Sequence, residues 1–302
     1  MDMSLKRMLI ERIKELAEPL SPISIDHATS LKKLSGIKCV AFDFYGTMFI
    51  SGVGDIGIDE DREGESEEIF RNSLEAAGFT VNDVSAGTYG LQVLEKTLAR
   101  HKDEAKERGI AYPEPEIREV WKDTLKEMAE QSMISGSVDE SSIAKFAVEF
   151  EFRINAVWPV PNLAGILTNL KKQGLELAII SNSQFYTPLA FEAIIGQSPE
   201  NFGFNKDLLV WSYKCGRKKP DTDFYADFVN RIQEQGMDPT EVLYVGNDIN
   251  KDIKPAKYLG MHTALFVGDS RSIRHEESEL KHLSLSPDLV IDRLSQIHEC
   301  LL

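Results

Sequence analysis

Val40-Ala41-Phe42-Asp43-Phe44-Tyr45-Gly46-Thr47 is the stretch from which the rest of the chain is read. A short apolar run from Ile37 to Phe42 stops abruptly at an aspartate, and Gly46 and Thr47 follow. An apolar run of this length, bounded by turn residues, reads as a buried strand of a parallel sheet. In open α/β sheets ligands bind outside the carboxyl ends of the strands. Asp43 stands at such an end. A carboxylate there can act as a nucleophile, hold a metal or simply cap the next turn.

Downstream of Thr47 the texture changes. Ser51-Gly52-Val53-Gly54 reads as a flexible link, and Asp55 to Glu68 is rich in acids, the usual mark of a solvated face. Helical patterns follow at about 66–77, 86–108, 115–132 and 139–154, with Pro113 and Pro115 breaking the chain between two of them. Residues 52–157 therefore read as an all-helical insertion. From Trp158 strands and helices alternate. Leu175–Ile180, Leu208–Trp211, Val242–Val245, Thr263–Phe266 and Leu289–Ile291 read as strands. The expected fold class is α/β, a parallel Rossmann-like sheet with helices on both faces plus the helical insertion.

Upstream, residues 4–18 place Leu5, Met8, Leu9, Ile13 and Leu16 at helical spacing among Lys and Glu, and Pro19 and Pro22 end the pattern. This amphipathic helix is expected to pack on the outside of the domain or against a partner. Residues 20–35 read as a connector, with a helical turn expected around Ala28 to Leu34.

Composition narrows the function. Net charge is −15, from 34 basic and 49 acidic residues, which argues against nucleic acid or an anionic membrane surface as partner. No run approaches the roughly 18 apolar residues of a spanning helix. The three cysteines, Cys39, Cys215 and Cys300, are an odd and scattered set, with no disulfide framework and no zinc spacing. The expectation is a cytoplasmic protein; its oligomeric state is not legible.

Four successive strand ends carry polar groups: Asp43 and Thr47, then Ser181 and Asn182, then Lys219 ahead of Pro220, then Asn247, Asp248 and Asp252. Each alone has a bland reading, as a helix cap, a helix start or a turn. In this order they resemble the haloacid dehalogenase superfamily of hydrolases. The resemblance rests on Asp43-Phe44-Tyr45-Gly46-Thr47, Ile179-Ile180-Ser181-Asn182, Lys218-Lys219-Pro220-Asp221 and Gly246-Asn247-Asp248-Ile249-Asn250-Lys251-Asp252. Pro287-Asp288-Leu289-Val290-Ile291-Asp292 is similar to the family's last core strand. The resemblance covers residues 36–300. It implies a core of residues 36–51 and 158–302, a helical cap of residues 52–157, and an N-terminal extension of residues 1–35 that it does not explain.

The resemblance also implies chemistry. Asp43 would attack an electrophilic centre and form a covalent intermediate that water hydrolyses. Mg²⁺, a hard cation that takes oxygen ligands, would be held by Asp43, the Tyr45 carbonyl and Asp248, with Asn247 and Asp252 behind them. Lys219 would offset negative charge, and Ser181, the Asn182 amide and Thr47 would hold the nonbridging oxygens or fix the nucleophile. The expected substrate is a small anionic molecule, most simply a phosphate ester.

Two positions depart from the phosphatase pattern. Tyr45 stands where family phosphatases carry a second aspartate as general acid and base, and a phenol with a pKa of about 10 suits that work poorly. Asp-x-Tyr-Gly-Thr is similar instead to the metal-independent 2-haloacid dehalogenases, in which a halide leaves without a proton. Asn247 likewise replaces the usual first acid of the fourth motif, whereas Asp248 and Asp252 keep a metal-binding spacing. Three readings thus stand: a Mg²⁺-dependent phosphatase, a 2-haloacid dehalogenase, and a relative that binds or regulates without turnover. Asp55 is a candidate replacement acid. Arg71 is a candidate substrate clamp or a surface arginine. The basic group Lys214, Arg217, Lys218 and Lys219 suits an anionic substrate, while a solvated loop explains all but Lys219. His262 and the cysteines are expected to pack.

Overall fold

The computed structural model describes residues 1–52, 63–273 and 286–301. Its strands in chain order are β1 (Cys39–Phe42), β2 (Phe49–Ser51), β3 (Thr80–Val81), β4 (Ile134–Ser135), β5 (Val157–Pro159), β6 (Glu176–Ser181), β7 (Leu209–Trp211), β8 (Val242–Gly246), β9 (His262–Phe266) and β10 (Leu289–Ile291). Six of them form one parallel sheet in the order β10-β9-β8-β1-β6-β7. β1 is buried along its whole length because helices cover both faces. Val40 and Phe42 point into one core, and Cys39 and Ala41 into the other, with Phe224, Phe228 and Ile232. The chain runs outward from β1 to β6 and β7, then returns to β8 on the opposite side of β1. That reversal opens a crevice at the carboxyl ends of β1 and β8.

The long helices before β7 are α1 (Met3–Leu16), α2 (Glu63–Ala76), α3 (Ala86–Glu107), α4 (Ile117–Glu130), α5 (Glu140–Ile154), α6 (Leu163–Lys172) and α7 (Thr187–Ile195). Helices α2 to α5 pack on one another between β1 and β6, as the helical periodicity predicts. Phe70, Trp121, Phe146 and Phe150 form an aromatic centre for this bundle, edge-to-face except for the stacked pair Phe146 and Phe150. Gly90 lets α3 approach α2, since a Cβ there would lie 2.4 Å from the Phe70 ring.

Two short antiparallel pairs were not expected. β2 and β5 pair where the chain enters and leaves the helical insertion, making a stem. β3 and β4 pair within the insertion. Pieces of two or three residues carry no periodicity to read.

Helix α1 buries Leu5, Leu9 and Ile13 against α5 of the insertion and α7 of the core. Met8, counted in the apolar stripe, is exposed. The expected turn at 28–34 is absent. That segment runs extended instead, and Ser30 exchanges main-chain bonds of 2.9 Å with Val290. Leu34 makes a second bridge with Leu301. The free edge of β10 offers unpaired main-chain groups, and satisfying them outweighs a single helical turn.

Candidate active site

The sheet brings the four predicted strand ends to one place. β1 lies between β6 and β8, and the Asp43 amide donates to the Val245 carbonyl at 2.9 Å. Lys219 reaches in from the loop after β7. Its Nζ lies 2.7 Å from Asp43 Oδ1 and 2.6 Å from Asp252 Oδ1, and it donates to Tyr244 Oη at 3.2 Å. Lys219 and Asp252 are almost wholly buried, and Asp43 and Asp248 nearly so.

Electrostatics follow from that burial. Desolvation raises the Asp43 carboxyl to about 6, with Lys219 pulling it down and Asp252 pushing it up. Desolvation lowers Lys219, but Asp252 and Asp43 more than reverse this and leave it raised. Asp248 is raised by burial and by the charge of Asp252. Two carboxylates, Asp43 and Asp252, thus share one buried ammonium, and Asp248 stands beside them with the charge of Lys251 acting on it, so the fully ionised trio around Lys219 carries excess negative charge in a medium that screens poorly.

The fourth motif divides its labour. Asp252 Oδ2 accepts the amides of Asn247 at 3.1 Å and Asp248 at 3.0 Å. Gly246 is required beneath it, because a Cβ would sit 2.5 Å from Asp252 Cγ. Asn247 is occupied on both sides: its Oδ1 accepts from Thr47 Oγ1 at 3.2 Å and its Nδ2 donates to the Ser272 carbonyl at 2.7 Å. Asn247 therefore braces the β1 and β8 loops. Thr47, expected to hold substrate oxygens or fix the nucleophile, spends its hydroxyl on that brace. Gly46 has φ +78°, and its missing Cβ leaves room for the Asn247 side chain. Asp248 caps the following turn through Oδ1, which accepts the amides of Asn250 at 2.7 Å and Lys251 at 2.8 Å. Its Oδ2 lies outside these bonds.

The second motif is placed with less commitment to substrate. Ser181 is buried and its hydroxyl donates to the Asn182 carbonyl at 3.1 Å. The Asn182 side chain accepts the Lys219 amide at 2.8 Å, so it pins the lysine loop. Tyr45 turns its hydroxyl to Thr187 Oγ1 at 3.0 Å, and burial together with Glu151 holds that phenol well above its usual range. Its side chain is thus a hydrogen-bonding partner for α7, and its carbonyl is the group left to the site.

Other expectations resolve locally. Arg71 donates to the Val84 carbonyl at 3.3 Å. Arg217 pairs with Asp223 at 2.6 Å and Lys214 lies over the Tyr213 ring, so only Lys219 of the basic group enters the cluster. His262 faces Asp288, and Cys39 and Cys300 are buried free thiols. Asp55 lies outside the described residues. Sequence reasoning missed Tyr244, whose hydroxyl donates to Asp252 Oδ1 at 3.0 Å. It reads only as a core strand residue.

The profile for haloacid dehalogenase-like hydrolases matches residues 37–260. The chain belongs to this family. Among curated proteins it is 30% identical over 143 residues to a glyceraldehyde 3-phosphate phosphatase of Methanothermobacter thermautotrophicus, covering 47% of this chain and 58% of that protein. It is 34% identical over 120 residues to the protein of that name from Methanocaldococcus jannaschii, covering 39% and 49%. The chain spans about half the length of these curated relatives. Among solved structures, a 2-haloacid dehalogenase from Pseudomonas syringae pv. Tomato superposes with a TM-score of 0.53 at 20% identity, covering 87% of this chain and 97% of that one, a likeness of fold. No described helix is long and apolar enough to cross a membrane.

The oxygen donors present suit Mg²⁺. Among the described residues no three His, Cys, Asp or Glu side chains gather to hold a metal on their own. Mg²⁺ asks for less: one or two carboxylates, with substrate phosphate and water completing the shell. Asp43, Asp248 Oδ2 and the Tyr45 carbonyl are oxygen donors of that kind at the ends of β1 and β8, and the excess negative charge is of the sign that a divalent cation neutralises.

Proposed function

We propose that this protein is a Mg²⁺-dependent hydrolase of small phosphate esters, with residues 52–157 as a cap over a core of residues 36–51 and 158–302. The observation that carries the reading is the charge balance: two buried carboxylates on one lysine, with a third, Asp248, buried beside them. A metal-free site for an anionic substrate needs the opposite sign. That weighs against the 2-haloacid dehalogenase reading, which Tyr45 and Asn247 otherwise favour. Relatives named as phosphatases support the same choice.

In this mechanism an Asp43 oxygen attacks phosphorus and the bond to the ester oxygen breaks, leaving a phosphoaspartate. Water then cleaves that mixed anhydride, releasing phosphate and restoring Asp43. Lys219 steadies the carboxylate and offsets the substrate's charge. The Asn182 amide stands at the neighbouring strand end to receive nonbridging oxygens, and Ser181 Oγ joins it once its hydroxyl turns from the Asn182 carbonyl. Bound Mg²⁺, held by Asp43, the Tyr45 carbonyl and Asp248, would supply charge neutralisation on the transferring group. Tyr45, with its phenol raised and bonded to Thr187, is a poor proton donor to a leaving alkoxide. The reading therefore favours esters whose leaving group needs little protonation.

Turnover of p-nitrophenyl phosphate is the direct test. Activity should require Mg²⁺, vanish with EDTA and fall on the order of 10⁴-fold or more in Asp43→Asn. Halide release from 2-chloropropionate in EDTA would replace this reading with the dehalogenase. Tight ligand binding with no Asp43-dependent turnover across a panel of phosphometabolites would replace it with a binding protein.

A further inference from the structure

The insertion meets the core at the loop that carries the lysine. Between α3 and α4 the chain runs through Tyr112, Pro113 and Glu114, kept out of helix by its prolines. Pro113 forms an antiparallel bridge with Arg217. The Lys218 amide donates to the Tyr112 carbonyl at 2.9 Å, and the Glu114 amide to the Gly216 carbonyl at 3.1 Å. Lys219 is the next residue.

A buried polar knot lies under this pairing. The Glu114 carboxylate accepts from Ser212 Oγ at 3.1 Å and from Gln184 Nε2 at 3.3 Å. Gln184 also donates to the Pro115 carbonyl at 3.0 Å, and its Oε1 accepts the Ile117 amide at 2.9 Å. The Gln184 amide donates to Thr187 Oγ1 at 3.2 Å, the hydroxyl that Tyr45 also meets. Ser212 accepts the Ser183 amide at 2.8 Å. One connector of the insertion is therefore tied to the loops after β6 and β7 directly, and to the loop after β1 through Thr187. Apolar packing alone would hold a lid in many registers. A satisfied buried carboxylate–amide pair permits one, because any slip strands a desolvated polar group.

We propose that Glu114 and Gln184 are positioning residues: they fix the 112–116 connector against the core and thereby set where Lys219 stands relative to Asp43. Neither touches substrate. Glu114 acts through the main chain of Gly216 to Lys218, and Gln184 through Glu114 and Thr187. The inference rests on the roles given above to Asp43 and Lys219.

The experiment compares wild type, Gln184→Ala and Glu114→Gln in two arms. One is p-nitrophenyl phosphate kinetics with Mg²⁺. The other is the rate at which Lys219 is reductively methylated with formaldehyde and cyanoborohydride, read by mass spectrometry, with hydrogen exchange in β1 and β8 confirming the fold. A misplaced catalytic group costs roughly 10- to 100-fold, so kcat should fall by that factor in Gln184→Ala while KM stays within about threefold. Lys219 should methylate faster in the same protein. The exchanged pair Glu114→Gln/Gln184→Glu rebuilds a carboxylate–amide contact and should regain part of kcat. Should Gln184→Ala fail to fold, Glu114→Gln, which keeps the side chain's shape, carries the test. Unchanged kcat and unchanged Lys219 labelling in a folded variant would overturn the proposal. If the wild type hydrolyses no phosphate ester, the functional reading fails by itself. The labelling arm then decides: faster Lys219 methylation upholds the positioning role, and an unchanged rate removes it.

Discussion

Lys219 and Glu149 are both buried charges that bind two partners of opposite sign, yet their surroundings differ. Lys219 lies between Asp43 and Asp252, with Asp248 beside them, and all three acids are largely withdrawn from water. Glu149, on α5, accepts from Arg12 Nη2 at 3.0 Å and from Arg153 Nη2 at 2.9 Å. Those two arginines are 35% and 28% exposed, so water screens their surplus charge. Asp43 and Asp252 share Lys219 alone among cations, and their surplus charge lies away from water. Burial of a charge is therefore not what separates a reactive site from a structural staple. What separates them is whether the surplus charge is solvated.

Removing Lys219 breaks the comparison most sharply. Lys219→Met leaves Asp43 and Asp252 buried without a counter-charge, which costs about 3–5 kcal/mol in metal-free protein at neutral pH. Urea unfolding should show this loss, and saturating Mg²⁺ should recover part of it. A Lys219→Met protein as stable as wild type without metal would mean that the acids are not ionised against the lysine.

A smaller effect comes from the proton on Asp43. Its folded value, about 6, lies above the ordinary carboxylate value because of burial. The native state then holds this proton more tightly than the unfolded chain. Its contribution to stability is present below about pH 4 and is lost as the pH rises through about 6. Metal-free wild type should lose stability over that window relative to Asp43→Asn, and Mg²⁺ should reduce the difference. Parallel pH–stability curves for the two proteins would contradict the assignment.

How much of this was legible in the sequence follows from where each residue gets its constraint. Val40–Phe42, Leu177–Ile180 and Val242–Val245 are buried on both faces, so their apolar runs announce strands. Asp43, Ser181, Lys219 and Asp248 each stand at a strand end or in the loop behind one, so order along the chain locates them. Tyr45 was visible as an anomaly, but its partner Thr187 is 142 residues away. The Glu114–Gln184 contact spans 70 residues and leaves no local pattern. Asn247 read only as a residue behind the metal ligands, in place of the usual first acid, because its bonds to Thr47 and Ser272 depend on three loops meeting. Ser30 and Leu34 follow the edge of β10 through single bridges, too short for any alternation to record.

Arg12→Ala is the mildest way to probe the same contrast. The substitution removes one of the two cations on Glu149 and leaves both Arg153 bonds, at 3.0 and 2.9 Å, in place. Glu149 stays paired, so the penalty for a stranded buried charge does not arise. What is lost is a partly exposed ion pair, for which about 0.5–1 kcal/mol is the appropriate scale. Helix α1 remains seated through Leu5, Leu9 and Ile13. Urea unfolding should register that small loss, with kcat and the Mg²⁺ requirement unchanged. A fall in kcat beyond about threefold would show that the staple also transmits to the site, through α5 and α7. The distinction between a closed structural pair and an open reactive cluster would then have to be drawn elsewhere.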